Sequence, residues 1–296
     1  MFCVEYPIPR CDHSLPHATD IDSIANSREL TQWKAQAGAF LQTQGRRAWS
    51  ERIAVDLPTW KTRRRTPVSR AYFKLFEIIH TCLLPEPRRS LSLCEAPGGF
   101  LQCIQDMFPN AVCVAASLQT VGSPQFAPVI AQQCILTLGG DGDVCSESVR
   151  WDLVERVGRG SCDLVTADGG FPVDHNRLEE RMLPLAQASI LVAVECLAVG
   201  GTLVLKVFEW NTPPSLHTLA WICRMFGQVS IIKPVWSRPT NSERYIVARQ
   251  FQKMVSLPND GIDAAWLMQT CPVLYELNAK QIDALAVALR TTGSRR

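Results

Sequence analysis

Four charged residues interrupt runs that otherwise read as buried structure. Lys206 falls near the end of Gly201-Thr-Leu-Val-Leu-Lys206-Val207-Phe208, and Asp168 closes Cys162-Asp-Leu-Val-Thr-Ala-Asp168 just before Gly169-Gly170-Phe171. Lys74 lies inside Ser69-Arg-Ala-Tyr-Phe-Lys74-Leu-Phe-Glu-Ile, and Glu243 follows Ser237-Arg-Pro-Thr-Asn-Ser242 and opens the apolar run Tyr245-Ile-Val-Ala248. A lysine or carboxylate in a core is costly unless it is paired. Two lysines and two acids can pair with one another, so one shared site accounts for all four. Such a site can orient a hydroxyl, favour a developing negative charge and move one proton.

A second chemical signal is the turn Leu93-Cys94-Glu95-Ala96-Pro97-Gly98-Gly99-Phe100. Glycines there let backbone N–H groups approach a ligand with no Cβ in the way. The run is neither a G-x-G-x-x-G dinucleotide fingerprint nor a phosphate loop ending in Gly-Lys-Ser/Thr, which disfavours nicotinamide cofactors and nucleoside triphosphates. The acidic Glu95 suits a cationic ligand, and S-adenosylmethionine carries both an ammonium and a sulfonium. Further on, Gly140-Asp141-Gly142-Asp143-Val144 offers a polar loop. An aspartate there, Asp143 in preference to Asp141, can accept from an exocyclic amine such as adenine N6.

These groups need a scaffold that brings them to one edge. Short apolar runs at 90–94, 111–116, 134–138, 163–167, 201–207, 229–232 and 245–249 read as seven strands. Helical spacing marks 28–42, 69–82, 100–108, 178–199 and 215–226, and then a tail at 261–269 and 279–290. Alternating strands and helices predict an α/β fold, a Rossmann-like, mostly parallel seven-stranded sheet with helices on both faces. Ligands in such folds bind beyond the carboxyl ends of the strands. Glu95–Phe100, Asp168–Phe171 and Lys206 all fall at such ends. The expected organisation is an N-terminal extension over 1–60, one α/β domain over 61–252 and a helical extension over 253–296 that packs on the sheet.

The chain has 296 residues, 47% of them hydrophobic, and a net charge of +2. A sizeable core is expected, and the molecule as a whole is not a polycation. The opening Met1-Phe-Cys-Val-Glu-Tyr-Pro-Ile-Pro-Arg10 breaks the apolar region a signal peptide needs, and no run is long enough to span a bilayer. A soluble intracellular protein, nuclear or cytoplasmic, is expected. The 12 cysteines then stay reduced, with Cys94, Cys103, Cys113, Cys162, Cys196 and Cys223 acting as small hydrophobes within apolar runs. Cys3, Cys11, His13 and His17 match no zinc spacing, so no metal is expected. Positive charge concentrates at Lys61-Thr-Arg63-Arg64-Arg65-Thr-Pro-Val-Ser-Arg70, beside Lys74. Arg63, Arg64, Arg65 and Arg70 can hold RNA phosphates there, and Tyr72 or Trp60 can stack on a base, although such aromatics are more often core.

The same five segments, in the same order, resemble the FtsJ-like family of RNA ribose 2′-O-methyltransferases. Leu93–Phe100 resembles its S-adenosylmethionine turn, Asp163–Phe171 its catalytic-aspartate motif and Gly200–Lys206 its second lysine motif. Ser69–Leu75 resembles its first lysine motif and Ser237–Tyr245 its glutamate motif. The resemblance covers about Ser69 to Arg249. It implies a catalytic tetrad of Lys74, Asp168, Lys206 and Glu243, with the cofactor held by Glu95, Pro97, Gly98, Gly99, Phe100, Asp143 and Asp168. Within the family, Cys94-Glu95-Ala, Asp141-Gly-Asp143-Val and Leu164-Val-Thr-Ala-Asp168-Gly are closest to eukaryotic and viral mRNA cap methyltransferases. Ser69–Lys74 is also close to the bacterial ribosomal-RNA branch. That branch places an acid after the second strand for the cofactor ribose. Here Ala115-Ala-Ser117-Leu-Gln119 stands there, so Ser117 or a backbone group must substitute.

On this basis Lys206 is expected to act as base or hydroxyl-orienting group. Lys74 would supply positive potential that favours the neutral amine, and the two acids would orient the lysines. Ribosomal or transfer RNA is the alternative substrate. A non-catalytic RNA-binding relative is the alternative class, against which all four tetrad positions are filled.

Overall fold

The computed structural model describes residues 4–10, 27–52, 66–130, 134–170, 178–253, 255 and 264–290. In chain order these form β1 (Glu5–Ile8), α1 (Ser27–Arg52), α2 (Ala71–Thr81), β2 (Arg89–Leu93), α3 (Gly99–Met107) and β3 (Val112–Ala116). There follow α4 (Glu147–Val157), β4 (Cys162–Ala167), α5 (Leu178–Cys196), β5 (Leu197–Phe208), α6 (Pro213–Met225), β6 (Phe226–Ile232), β7 (Glu243–Phe251) and α7 (Ala264–Arg290). The seven strands make one sheet in the order β1-β6-β7-β5-β4-β2-β3.

The sheet is mixed rather than mostly parallel. β3, β2, β4 and β5 run parallel, and β7, β6 and β1 join by antiparallel pairings. The register levels the site. Leu93 and Leu205 both pair with Ala167, so β2 and β4 end together and β5 runs three residues further, to Phe208. Because β7 is antiparallel to β5, its first residue, Glu243, lies opposite Phe208 at that same end.

Side chains alternate across each strand. Leu203, Leu205 and Val207 enter one core cluster, with Ile246 and Ala248 from β7 and the inner faces of α5 and α6. Val204, Tyr245 and Val247 enter the other, with Tyr72, Leu75 and Ile78 of α2 and Phe100, Leu101 and Ile104 of α3. Alternation carries Lys206 to the second face, the one α2 covers with Lys74.

The strand set differs from expectation at both edges. The segment 134–138 makes a single parallel bridge, Ala115 to Ile135. It lies outside β3 with no strand paired beyond it among the described residues, and the glycine-rich loop follows from Gly139. β1 takes the seventh place, from a region with little pattern in the sequence. Pro7 and Pro9 are tolerated there because one side of an edge strand needs no N–H. The tail forms one helix, α7, with Pro272 inside it, and α1 continues to Arg52 past a non-helical Gly45. Among the described residues no helix is long and apolar enough to cross a membrane.

Gly98 and Gly99 are needed for packing. Gly98 has φ +110, and a Cβ on Gly99 would lie 2.2 Å from Ser69 Oγ and 2.9 Å from Ala71 Cβ. The turn therefore seats the first residues of α2 directly on α3. Gly99→Ala should destabilise the chain by about 1–3 kcal/mol through this overpacking. Denaturant titration of the variant against the parent checks this, and an unchanged midpoint counts against a tight seat.

Candidate active site

The four charges anticipated from the sequence form one connected chain of contacts. Lys74 Nζ lies 2.7 Å from Glu243 Oε1, Lys206 Nζ lies 3.2 Å from Glu243 Oε2, and Lys206 Nζ lies 3.5 Å from Asp168 Oδ1. Their side chains are at most 14% exposed. Each comes from an element end or inner face at the levelled strand edge: α2, the N-terminus of β7, β5, and the residue after β4.

Electrostatics follow from that order. Burial alone would raise the pKa of Glu243, but Lys206, Lys74 and Lys233 outweigh it and hold the carboxyl well below the usual range. Burial would lower that of Lys206, but Asp168 and Glu243 outweigh it and raise the ammonium above lysine's ordinary value. The neutral Lys206 amine expected from burial beside another cation is therefore corrected. Two carboxylates within 3.5 Å keep this group an ammonium.

Three neighbours complete the cluster, and none was singled out from sequence. Tyr245 donates its hydroxyl to Asp168 Oδ1 at 2.6 Å, and burial followed by Asp168 pushes its pKa well above normal. Its identity reads as an ordinary strand aromatic, and only the register opposite Lys206 reveals it. Ser237 Oγ donates to Glu243 Oε1 at 2.8 Å. Lys233 Nζ reaches Asn241 O, Asn241 Oδ1 and Glu243 O at 2.6, 2.5 and 2.8 Å. Three acceptors use all three hydrogens of an ammonium. Loss of hydration works against that charge. A lysine closing strand β6 repeats the signal that marked Lys206 and could have been found by it.

The glycine turn lies on the same edge. Cys94, at φ +54, opens it directly after β2. Burial pushes its thiol up to about 12, reinforced by Cys145, Asp143, Glu95 and Asp168, so three carboxylates from separate loops converge there. Glu95 is buried, and its Oε1 accepts the Leu101 N–H at 2.8 Å. Its carboxyl is pushed up to about 8 by burial. It thus caps α3 from within. Ser117 Oγ accepts the Ala96 N–H at 3.2 Å. Asp143 Oδ1 accepts the Cys145 N–H at 2.9 Å and is half-buried, whereas Asp141 is exposed. Pro97 and Phe100 belong to the turn and to the start of α3, and Phe100 is fully buried.

Tyr72 is only 3% exposed, with its hydroxyl 3.3 Å from Asp106 Oδ2, so it is core and presents no ring to a base. Arg70 is exposed at the start of α2. Arg63, Arg64, Arg65 and Trp60 lie outside the described residues, as do Cys3, Cys11, His13 and His17. No cluster of metal-capable residues occurs among the described ones.

Residues 67–251 match the model of the FtsJ-like methyltransferase family. The chain belongs to that family. Among the chain's relatives, a protein of African swine fever virus named as a methyltransferase is 31% identical over 207 residues, covering 62% of this chain and 49% of the viral protein. The chain thus spans about half the length of that relative. Ribosomal RNA large subunit methyltransferase E of Zymomonas mobilis is 31% identical, covering 69% of this chain and 88% of its own. A cap-specific mRNA (nucleoside-2′-O-)-methyltransferase of Autographa californica nuclear polyhedrosis virus is 30% identical, covering 65% and 75%. In this FtsJ-like chain, every contact of the four-residue cluster falls within the matched segment.

Glu243→Gln removes the anion between two buried lysines and should cost about 3–5 kcal/mol. The Glu243 carboxyl is more acidic folded than unfolded. Its contribution is complete above the ordinary value of 4.5 and shrinks as pH falls below it. Unfolding titrations at several pH values should show the gap between variant and parent narrowing toward acid. A gap independent of pH counts against Glu243 as the anion.

Proposed function

We propose that the chain transfers the methyl group of S-adenosylmethionine to a ribose 2′-hydroxyl of RNA, at a cap-proximal nucleotide of mRNA. The observation that carries this is the continuous Lys74–Glu243–Lys206–Asp168 contact chain at the strand edge that also holds the glycine turn. Residues 61–252 are taken as the methyltransferase unit, with 1–60 and 253–296 as extensions.

Asp143 and Asp168, the carboxylates beside Cys94 other than the inward-turned Glu95, suit a cationic ligand, which supports S-adenosylmethionine. Asp143 and Asp168 remain its side-chain contacts, with Glu95, Pro97, Gly98, Gly99 and Phe100 shaping the turn and Ser117 available to its ribose. When bound, the cofactor supplies a methyl already activated by its sulfonium. Lys206, as an ammonium, orients the 2′-oxygen and stabilises negative charge growing on it. Glu243 keeps Lys74 and Lys206 in place, and Tyr245 fixes Asp168. Asp168, paired with Lys206 at 3.5 Å, would take the proton that leaves the 2′-hydroxyl. These groups titrate together, so their roles are shared.

RNA phosphates are assigned to Arg70, to Arg63, Arg64 and Arg65 and, newly, to Arg238. Arg238 follows Ser237, the residue bonded to Glu243, and Arg70 precedes Lys74 by one helical turn. Loss of hydration and then the Arg70 charge lower the pKa of Arg238, so the two positive charges act on each other. Two guanidiniums in one neighbourhood suit a phosphate. Resemblance to the cap-specific relatives supports a capped mRNA. Similarity to the ribosomal enzyme favours a second reading, ribosomal RNA.

Four outcomes are expected. Mass spectrometry after incubation with the methyl donor should find a 2′-O-methyl on capped RNA in preference to the same uncapped RNA; the reverse preference selects the ribosomal reading. Lys206→Ala should abolish transfer with donor affinity retained. In the parent, single-turnover rates should lack the rise of about tenfold per pH unit between pH 8 and 10 that a neutral amine would impose. Arg70→Ala with Arg238→Ala should lower the slope of log affinity against log salt by about 1.4 for single-stranded RNA, and an unchanged slope removes the phosphate assignment.

A further inference from the structure

The two terminal helices carry polar residues on faces that otherwise pack as core. On α1 the inward stripe is Leu30, Trp33, Lys34 and Ala37, and on α7 it is Asn278, Gln281, Ile282 and Leu285. Both follow the i, i+3, i+4, i+7 spacing of a buried face. Leu30, Ala37, Ile282 and Leu285 pack together under Trp33 and Trp49. Asn278 is fully buried, and Gln281 is 3% exposed. Both helices lie outside the segment 67–251 that matches the family.

Each polar residue contacts a strand end of the site. Lys34 Nζ pairs with Glu209 Oε1 at 2.6 Å, with side-chain exposures of 12% and 5%. Glu209 lies three residues past Lys206 and has φ +36, a conformation that side chains other than glycine rarely adopt. The same Oε1 accepts from Ser242 Oγ. Arg244, 1% exposed, donates to Glu209 O at 2.9 Å and to Asn278 Oδ1 at 2.5 Å. Gln281 Nε2 donates to Ser242 Oγ at 3.1 Å and to Thr240 O at 3.2 Å. Ser242 and Arg244 flank Glu243, so both neighbours of that carboxylate are gripped from the terminal helices.

We propose that Lys34, Asn278 and Gln281 are positioning residues, through which α1 and α7 clamp the ends of β5 and β7 and aim the Glu243 carboxylate at Lys74 and Lys206. This rests on the methyl-transfer reading of that cluster. Simple packing of the two helices would be better served by leucine at these places, since buried polar groups cost stability unless bonded. The described bonds run to Glu209, Arg244, Ser242 and Thr240, at or just before the strand ends that carry the site, which supports a role in register.

The test uses Gln281→Leu, which keeps the apolar packing and removes the Ser242 contact, and Lys34→Met, rescued by Lys34→Arg. Asp283→Asn, on the exposed face of α7, is the control. For Gln281→Leu, kcat should fall roughly 10- to 100-fold, as expected when a reacting group is misplaced. Its donor Kd and RNA KM should stay within about twofold, and amides 242–244 should exchange faster. Lys34→Arg should recover kcat relative to Lys34→Met; if Lys34→Met does not fold, Gln281→Leu decides alone. Faster exchange with kcat unchanged makes the network structural and overturns the inference. So does a loss of kcat matched by a loss of donor affinity. A parent chain that methylates no RNA overturns the methyl-transfer reading itself and the clamp with it, an outcome separable from active parent with active variants.

Discussion

The Glu243 carboxylate bridges two lysines that would otherwise repel each other inside the protein. Much of the architecture at this edge follows from holding it there. A buried anion between two cations is favourable only if all three stay close, because each unpaired charge would carry a large desolvation penalty. Ser237 bonds its side chain, and Lys233 bonds its backbone. The loop between β6 and β7 is further tied by Glu77, a fully buried carboxyl of α2 that accepts the Trp236 N–H at 3.2 Å. The segment leading into Glu243 thus has little freedom left.

This constraint explains the value of an antiparallel strand in the middle of the sheet. Ligand sites of parallel sheets collect at strand C-termini. β7 runs the other way, so it delivers its N-terminal residue to that edge, with Tyr245 opposite Lys206 on the same face. The antiparallel half of the sheet is part of how the charges meet. α2 covers that face and brings Lys74 from the side, and the glycine turn locks α2 against α3 through Gly99. Displacing any of these elements moves one member of the charge cluster relative to the rest.

The legible parts of the fold were those with strong local pattern. The runs around Leu91, Val165, Leu203 and Ile246 are buried, apolar and bounded by breakers, and each is a strand. The run at 134–138 has a similar composition, but a strand exists only where a partner pairs along its length, and here the partner offers one bridge. β1 shows the converse: four residues with two nearby prolines are a strand because β6 supplies the ladder. At the site, Lys74, Asp168, Lys206 and Glu243 stood out because a charge in an apolar run is locally anomalous. Tyr245, Ser237 and Asn241 did not, since hydroxyls and amides look ordinary in their own segments. Glu95 looked like a ligand contact, yet its carboxyl turns inward to the Leu101 N–H, a direction that residue type cannot give.

The sequence by itself determined which residues are charged in otherwise buried runs, the family they belong to, and the alternating elements that end beside them. Those properties depend on local composition and spacing. Tertiary structure alone decided the order of contacts, Lys74 to Glu243 to Lys206 to Asp168, and with it the charge state of Lys206. A pKa is set by the distances to neighbouring charges, and here those neighbours come from residues far apart along the chain. The same holds for Lys34, Asn278 and Gln281, whose partners lie on distant strands. The role of a polar residue on a helix face is defined only by what the fold places against it.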